Sequence, residues 1–325
     1  MLLLSESDVR SVLPMHDLIE TMHTALAELA AGRVQQPLRT VLEVGEQHAF
    51  FGVMPAFIPK SGALGTKLVT VFGSNLAIGL PSHLATILLL DSTTGALISV
   101  MDGRYITEAR TAAVSAVSVK LLAKADASRL AIIGSGVQAR SHLRAIACVR
   151  ALSEVRVWSP SENSRARFVE EMHAETSATL KASSSAREAV SDADLIVLAT
   201  ASREPVVQSA WVADGAHIAA VGACRPDQRE MDSALVRRAR VFVDSRRGAL
   251  AEAGDLVIPM NEGVFDANQI AGELGELAGG SVAARTSLRE ITVFKSLGMA
   301  VEDVAAAHLA YHRARERGLG QPARL

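Results

Sequence analysis

The sequence predicts an α/β protein, with a Rossmann-type parallel sheet domain joined to an α+β domain. Three observations predict this class. A glycine-rich loop lies between a strand and a helix, short apolar strands alternate with helices after residue 130, and successive strands precede them. A chain of 325 residues is long enough for two domains.

Composition and charge exclude several classes of protein. The 33 Lys and Arg residues balance 35 Asp and Glu residues, so the chain lacks the basic excess of a general nucleic-acid binder. Its two cysteines exclude a disulfide scaffold or a Cys-rich zinc site. We expect no signal peptide and no membrane span, because the N-terminus lacks a basic stretch before an apolar run and no run approaches about 18 apolar residues. A cytoplasmic protein without nucleic-acid or membrane partners is therefore predicted.

The first part of the chain is predicted to form one helix and then an antiparallel sheet. Apolar residues at three- and four-residue spacing from Leu18 to Leu29 predict a helix that Gly32 ends. Helical spacing returns from Ile106 to Ala123. The strands predicted between the two helices are 33–44, 49–58, 64–72, 83–90 and 97–101, with a hairpin turn at 91–95.

The second part alternates strands with helices, which indicates βαβ units and a parallel sheet. The helices predicted there are 139–148 and 164–175, and an amphipathic helix over 297–317 follows near the C-terminus. We place the domain boundaries at 1–115 with 300–325, and at 116–299. The predicted strands are 130–133, 155–158, 194–200, 217–221 and 241–244.

The glycine-rich loop predicts a dinucleotide site. Residues 130–139 form a strand, then Gly-x-Gly-x-x-Ala, then the start of a helix. Gly134 permits the tight turn, Gly136 lets the backbone approach a pyrophosphate, and Ala139 allows close packing of helix and strand. The helix N-terminus offers N–H groups and partial positive charge to the phosphates. The alternative is a tight turn that binds no ligand.

The end of the next strand bears on the choice between NADH and NADPH. No acidic residue lies within 158–161, where one would bind the ribose 2′-hydroxyl of NAD. Ser159, Ser161 and Asn163 could instead bind a 2′-phosphate, and Arg165 could add charge. The sequence therefore favours NADPH over NADH.

Three cations outside the nucleotide fold are candidates for binding a carboxylate. Arg39 is predicted in a strand, Lys67 lies inside an apolar run, and Arg110 lies on an apolar helix. Together they would bind a carboxylate well, because a guanidinium group offers it a planar fork. Spacing does not show that they converge. The alternative is surface charges, or pairs with neighbours such as Glu43 or Glu108.

Other polar residues are given lesser roles. His83 is predicted to be an ordinary half-buried residue, and Cys224, at the end of a nucleotide-fold strand, to have a packing role. Asp227 and Glu230 are predicted to be exposed loop carboxylates. The histidines show no paired metal-ligand spacing, so no metal site is expected.

Five ordered blocks resemble the ornithine cyclodeaminase/μ-crystallin family along nearly the whole chain. The blocks are GTKLVT at 65–70, MDGRYITEARTAA at 101–113, GSGVQA at 134–139, VGACRPD at 221–227 and FKSLGMAVED at 294–303. The resemblance implies a homodimer, in which residues 1–115 with 300–325 form the dimerisation and substrate domain.

The resemblance also implies roles for individual residues. Arg39, Lys67 and Arg110 would converge on an amino- or imino-acid carboxylate, with Lys67 catalytic. The residues that it implies along the cofactor are Ser82, Arg110, Thr111, Gly134, Gly136, Val137, Gln138, Ser159, Thr200, Val221 and Leu297.

Cys224 decides between branches of the family. The cyclodeaminases carry an aspartate here, whereas Gly-Ala-Cys-Arg-Pro-Asp at 222–227 resembles the Gly-Ala-Ser-Arg-Pro-Asp of the ketimine reductases. Cyclodeamination calls for a base at the substrate amine, but reducing a preformed imine is mostly positioning and charge complementarity.

The resemblance therefore implies NAD(P)H-dependent reduction of Δ1-pyrroline-2-carboxylate and Δ1-piperideine-2-carboxylate to L-proline and L-pipecolate. Three alternatives remain at this point. They are an ornithine cyclodeaminase, an alanine-type amino-acid dehydrogenase, and a non-enzymatic binder of small molecules.

Overall fold

The computed structural model describes residues 1–45 and 49–324, and only the backbone of Leu76. It divides into two compact units, Met1–Arg110 with Gly298–Leu325 (unit 1) and Thr111–Leu297 (unit 2). The boundaries predicted at 115 and 299, and the substrate and cofactor roles of the two parts, stay predictions. No helix in the described part of the chain is both long and apolar enough to cross a membrane.

The strands and helices are numbered in chain order. The strands are β1 Leu2–Leu4, β2 Thr40–Val44, β3 Ala49–Ile58, β4 Ala63–Val71, β5 His83–Leu90, β6 Leu97–Asp102, β7 Arg129–Ile133, β8 Glu154–Trp158, β9 Thr179–Ala182, β10 Leu195–Leu198, β11 His217–Ala220, β12 Arg240–Val243, β13 Ile270–Glu273, β14 Thr292–Lys295 and β15 Gln321–Pro322. The helices are α1 Glu6–Val12, α2 Met15–Ala30, α3 Arg104–Leu122, α4 Val137–Ala147, α5 Glu162–Met172, α6 Ala186–Val190, α7 Ser233–Arg238, α8 Arg246–Glu252, α9 Gly254–Asn261, α10 Leu274–Ala278 and α11 Ala300–Glu316.

Unit 1 contains a sheet of strand order β15-β1-β6-β5-β4-β3-β2. Neighbouring strands are antiparallel except for β1 and β6, so the predicted antiparallel sheet is confirmed with one parallel pair. Helix α11 packs on α2 and on strands β3, β4 and β5. Because side chains alternate along a strand, β4 turns Ala63, Gly65, Lys67 and Val69 to its buried face.

The strand predicted over 33–44 is confirmed only at Thr40–Val44. Residues 33–39 lie outside the sheet, apart from an isolated bridge between Gln35 and Phe57. Pro37 has no N–H to donate to a strand ladder, which accounts for the interruption. The prediction that Arg39 lies in a strand is therefore wrong, since it precedes β2.

Unit 2 contains a parallel sheet of strand order β13-β12-β14-β11-β10-β7-β8-β9. Alternate residues of β7 enter two different cores, Ile133 one and Ile132 the other, so both faces of the sheet are covered. Strands β9, β13 and β14 were not predicted, because these four-residue segments mix Lys, Glu or Gly with apolar residues. The predicted Rossmann-type parallel sheet is confirmed.

The strand order of unit 2 reverses at β7. Strands β8 and β9 lie on one side of it, and β10 and β11 lie on the other. In doubly wound sheets, dinucleotides bind at the carboxyl ends of the strands around such a reversal. The topology therefore predicts a cofactor site at the ends of β7, β8, β10 and β11.

Candidate functional site

Two of the three predicted cations meet on one buried carboxylate in unit 1. Lys67 Nζ lies 2.6 Å from Asp303 Oδ2, and Arg110 Nε donates to Asp303 Oδ1 at 2.9 Å. Arg110 Nη1 also donates to Glu302 Oε2 at 2.6 Å. The side chains of Lys67 and Arg110 are 2% and 5% exposed, and both acids are fully buried. The partners suggested from the sequence, Glu43 and Glu108, are not those of these ion pairs.

The start of α11 supplies both acids of this cluster. Glu302 and Asp303 lie in its first turn, where the positive end of the helix dipole stabilises negative charge. Gly298 precedes the helix with a φ of +84°, and a Cβ there would lie 2.3 Å from Arg110 Nη1. The backbone therefore requires glycine at this position, and the absence of a side chain makes room for the guanidinium group.

Burial and neighbouring charge set the protonation of Lys67. Its pKa is lowered to about 8, because the lowering effects of burial, Arg110 and Arg39 together outweigh the raising effect of Asp303. The charge of Arg39 has the smallest of these effects on the pKa of Lys67. Burial opposes the ionisation of Asp303, yet Arg110 and Lys67 hold the pKa of that carboxyl group below its ordinary value. The cluster pairs a fixed carboxylate with a lysine that can lose its proton near neutral pH.

His83 lies on the same side of the sheet as Lys67. Ile87 pairs with Lys67 across β4 and β5, and His83 is four residues before Ile87 on the same strand. Burial lowers the pKa of His83 to about 4, and the charges of Lys67 and Arg110 contribute. It is half-buried, as predicted, and its ring is neutral at physiological pH.

The glycine loop of unit 2 has the geometry of a phosphate-binding turn. Gly134 has a φ of +116°, and a Cβ there would lie 2.5 Å from the carbonyl oxygen of Ala199. Gly136 caps the 11-residue α4 without a side-chain hydrogen bond, and a Cβ there would meet nothing within 4 Å. Within the described chain, Gln138 Oε1 is buried without a hydrogen-bond partner. An open helix N-terminus and a vacant acceptor fit a dinucleotide.

Two of the residues predicted to favour a 2′-phosphate meet at the end of β8. Ser135 Oγ donates to Ser159 Oγ at 2.9 Å, and Arg165 Nη1 donates to the carbonyl oxygen of Ser159 at 2.6 Å. Ser161 caps α5, because its hydroxyl accepts from the Ser164 amide. The structure thus brings Ser159 and Arg165 together, while the Ser161 hydroxyl is engaged in its own helix.

The other predicted cofactor residues are spread over both units. Thr200 and Val221 follow β10 and β11, and the Leu297 amide donates to Asp244 Oδ2. Ser82 and Arg110 belong to unit 1, whereas Thr111, Val137 and Gln138 belong to unit 2. Their contacts with a cofactor stay predictions.

Two predictions for the loop after β11 are wrong. Glu230 is fully buried rather than exposed, because backbone amides from two strand ends donate to its carboxylate. Cys224 is exposed rather than packed, with its Sγ 3.4 Å from the Val221 carbonyl oxygen. Asp227 is exposed, as predicted.

No role was predicted for Glu302 or Asp303, although both lie in a block that resembles the family. A signal was present, since two adjacent acids stand among alanine and valine at the start of α11. An acid in an apolar helical segment indicates a buried ion pair, because an unpaired charge is costly to bury. Across residues 1–45 and 49–324 there is no cluster of three His, Cys, Asp or Glu residues that could hold a metal ion.

The doubly wound sheet and its glycine loop define a Rossmann-type dinucleotide-binding protein. The model of the ornithine cyclodeaminase/mu-crystallin family matches residues 1–318. The chain therefore belongs to this family, as the five sequence blocks predicted.

Relatives in this family include reductases and a dehydrogenase. The ketimine reductase mu-crystallin of Mus musculus is 43% identical over 297 residues, which cover 90% of this chain and 91% of that protein. The Δ1-pyrroline-2-carboxylate reductase of Thermococcus litoralis, solved with NADH and L-proline, is 43% identical with a TM-score of 0.97, covering 99% and 100% of the two chains. An archaeal alanine dehydrogenase dimer with bound NAD is 31% identical with a TM-score of 0.95, covering 100% and 99%.

Proposed function

We propose that this protein reduces cyclic ketimine carboxylates, such as Δ1-pyrroline-2-carboxylate and Δ1-piperideine-2-carboxylate, to L-proline and L-pipecolate with NAD(P)H. The observation that carries the proposal is the buried cluster in which Lys67 and Arg110 share Asp303. The similar reductases of mouse and Thermococcus litoralis support the reaction class.

Lys67 is the proposed proton donor to the imine nitrogen. With a pKa of about 8, it is mostly protonated at pH 7 and yet loses its proton readily. The reduced dinucleotide, when bound, supplies the hydride that adds to C2 of the imine. The proton from Lys67 goes to the nitrogen, so that one hydride and one proton convert the imine to a secondary amine.

Arg110 and Arg39 are proposed to bind the substrate carboxylate. Glu302 and Asp303 hold the Arg110 guanidinium group in one orientation, so little side-chain freedom is lost when substrate binds. Lys67 adds positive charge to the same cluster. Such prearranged charge contributes to catalysis because it need not reorganise during the reaction.

The loop after β11 favours imine reduction over cyclodeamination. Cys224 is exposed there, where the resemblance places an aspartate in the cyclodeaminases. A thiol at this place does not supply the carboxylate base that the resemblance assigns to cyclodeamination. Reduction of a preformed imine needs no such base. The similarity to an alanine dehydrogenase keeps an acyclic imino acid as the second candidate substrate.

NADPH is the proposed preferred cofactor, with NADH also bound. The end of β8 carries Ser159 and Arg165 and no acidic side chain, which suits a 2′-phosphate. Gly134, Gly136, Val137 and the α4 N-terminus would hold the pyrophosphate. Gln138, Thr200, Val221 and Leu297 are proposed to line the rest of the dinucleotide, together with Ser82, Arg110 and Thr111.

A homodimer in the cytoplasm is also proposed. Strand β2 ends the sheet of unit 1, and its Val41 and Leu42 are 47% and 57% exposed. Large apolar side chains on an edge strand are typical of an interface. Light scattering on the purified protein should give twice the 34.3 kDa chain mass, and a monomer at micromolar concentration would contradict the dimer.

The reaction is tested by mixing the protein with NADPH or NADH and each cyclic ketimine. We expect loss of the absorbance of reduced nicotinamide and formation of proline or pipecolate. Pyruvate with ammonia tests the dehydrogenase, and ornithine with catalytic NAD tests the cyclodeaminase. If the protein reduces neither ketimine with NADPH or with NADH, the proposal is refuted.

The role of Lys67 is tested by K67A, with K60A as a matched control. Lys60 belongs to the same unit but is exposed and paired with Glu28. K67A should reduce kcat by about 10²–10⁴-fold while the dissociation constant for NADPH changes little. K60A should leave both quantities near the wild-type values. Full activity in K67A would remove Lys67 from the mechanism.

A further inference from the structure

Unit 2 contains three buried charged side chains for which the proposed reaction has no use. Glu230, Asp255 and Lys295 are each 0% exposed. Asp255 Oδ2 lies 3.1 Å from Lys295 Nζ, and Asp255 Oδ1 accepts from the backbone amides of Glu230 and Met231. Burying charge is costly unless contacts compensate. The hydrogen bonds of each group therefore indicate which backbone segments the cluster holds in place.

The Glu230 carboxylate joins the ends of two neighbouring strands. Its Oε1 accepts from the amide and the hydroxyl of Thr200, after β10, at 2.6 and 2.8 Å. Its Oε2 accepts from the amides of Gly222 and Ala223, after β11, at 2.8 and 3.2 Å. Four donors thus converge on one side chain. An ionised carboxylate suits them because it is acceptor-only.

Gly222 shows how closely these segments approach each other. A Cβ at this position would lie 2.0 Å from the Thr200 carbonyl oxygen and 2.6 Å from Glu230 Oε1. Both neighbours are fixed, one by the backbone and one by four hydrogen bonds. The two strand ends are therefore held in one arrangement, in which Glu230 is the central acceptor.

These strand ends belong to one half of the doubly wound sheet. The glycine loop follows β7, and the proposed 2′-phosphate site follows β8, so the adenylate half lies on that side of the reversal. Strands β10 and β11 lie on the other side, which receives the second mononucleotide. We propose that Glu230 is a positioning residue whose carboxylate fixes the loops after β10 and β11 to receive the nicotinamide half, an inference that rests on the proposed function.

The cluster also makes this positioning sensitive to pH. Burial and the charge of Asp255 raise the pKa of Glu230 to about 7, against the lowering effect of Lys295. Asp255 and Lys295 are the charged groups that act on it, and Cys224 acts on Lys295 in turn. As the pH falls through 7, Glu230 gains a proton and loses acceptor capacity. Binding of the nicotinamide half should therefore weaken on the acid side of neutrality.

The test compares E230Q with D194N by calorimetric titration with NADH and with ADP. Asp194 is a matched control, because its carboxylate also accepts backbone amides, those of Ser128 and Arg129, but at the amino ends of β10 and β7. E230Q should raise the dissociation constant for NADH at least tenfold and leave that for ADP within twofold. D194N should leave both within twofold, whatever its melting temperature. E230D, which keeps the charge, should recover part of the NADH affinity.

The other outcomes refute either the proposed function or only the positioning role of Glu230. If wild-type protein binds no NADH, the proposed function falls, and the inference falls with it. If wild-type protein binds NADH and E230Q binds it equally well, or loses ADP equally, only the inference falls.

A second variant serves if E230Q does not fold. D255N removes the charge that raises the pKa of Glu230, so the pH midpoint of NADH binding should move below that of wild type. An unmoved midpoint would contradict the positioning role.

Discussion

Asp303 should control the pH dependence of the reaction through Lys67, and D303N tests this. The proposed proton donor is the Lys67 ammonium group, so kcat/KM should fall as the pH rises through its pKa, about 8 in the free enzyme. Asp303 raises that pKa from 2.6 Å away, whereas burial and Arg110 lower it. Replacing the carboxylate by an amide leaves only the lowering influences. The alkaline limb of kcat/KM should therefore move to lower pH.

The magnitude follows from the burial of the pair. Removing one partner of a buried ion pair costs about 3–5 kcal/mol, and one pKa unit corresponds to about 1.36 kcal/mol. Part of the loss appears as reduced stability, because Lys67 and Arg110 remain buried with less compensation. We therefore expect the limb to move by about one unit or more, together with a lower melting temperature.

E302Q is the matched control for D303N. Glu302 lies next to Asp303 on α11 and is equally buried, but its ion pair is with Arg110. E302Q should lower the melting temperature and weaken substrate binding, while the alkaline limb of kcat/KM stays near pH 8. The assay is the initial rate of NADPH oxidation with Δ1-pyrroline-2-carboxylate from pH 6 to 10. A limb unmoved in D303N, or moved equally in E302Q, would show that Lys67 is not the titrating group.

Three further substitutions test other parts of the structure. G298A should lower the melting temperature and raise KM for the ketimine, because a Cβ would lie 2.3 Å from Arg110 Nη1; wild-type values of both would contradict the argument. G136V should abolish NADH binding in titrations while the melting temperature without ligand changes little, because a Cβ there meets nothing within 4 Å of the protein. R165A should raise the dissociation constant for NADPH about tenfold and leave NADH unchanged; equal losses for both would assign Arg165 a structural role instead.

Local sequence patterns predicted the two sheets because such patterns depend only on residues that are close together in the sequence. Side chains alternate along a strand and recur along a helix, so residues 49–58 and 83–90 were predicted with the ends that the structure has. The glycine loop could also be recognised from the sequence, because the roles of Gly134 and Gly136 depend on their own backbone and not on distant residues. Polar short strands such as β9 carry no such pattern and were missed.

The sequence by itself determined the family and the parallel and antiparallel sheets, and it singled out three cations as candidates for binding a carboxylate. Only the tertiary structure decided what those cations contact. Arg110 meets Asp303 across 193 residues of chain, and Glu230 is buried because amides from two strand ends surround it. The physical reason is that a buried charge is tolerated only where distant segments bring compensating groups to it, and no local pattern records which segments meet.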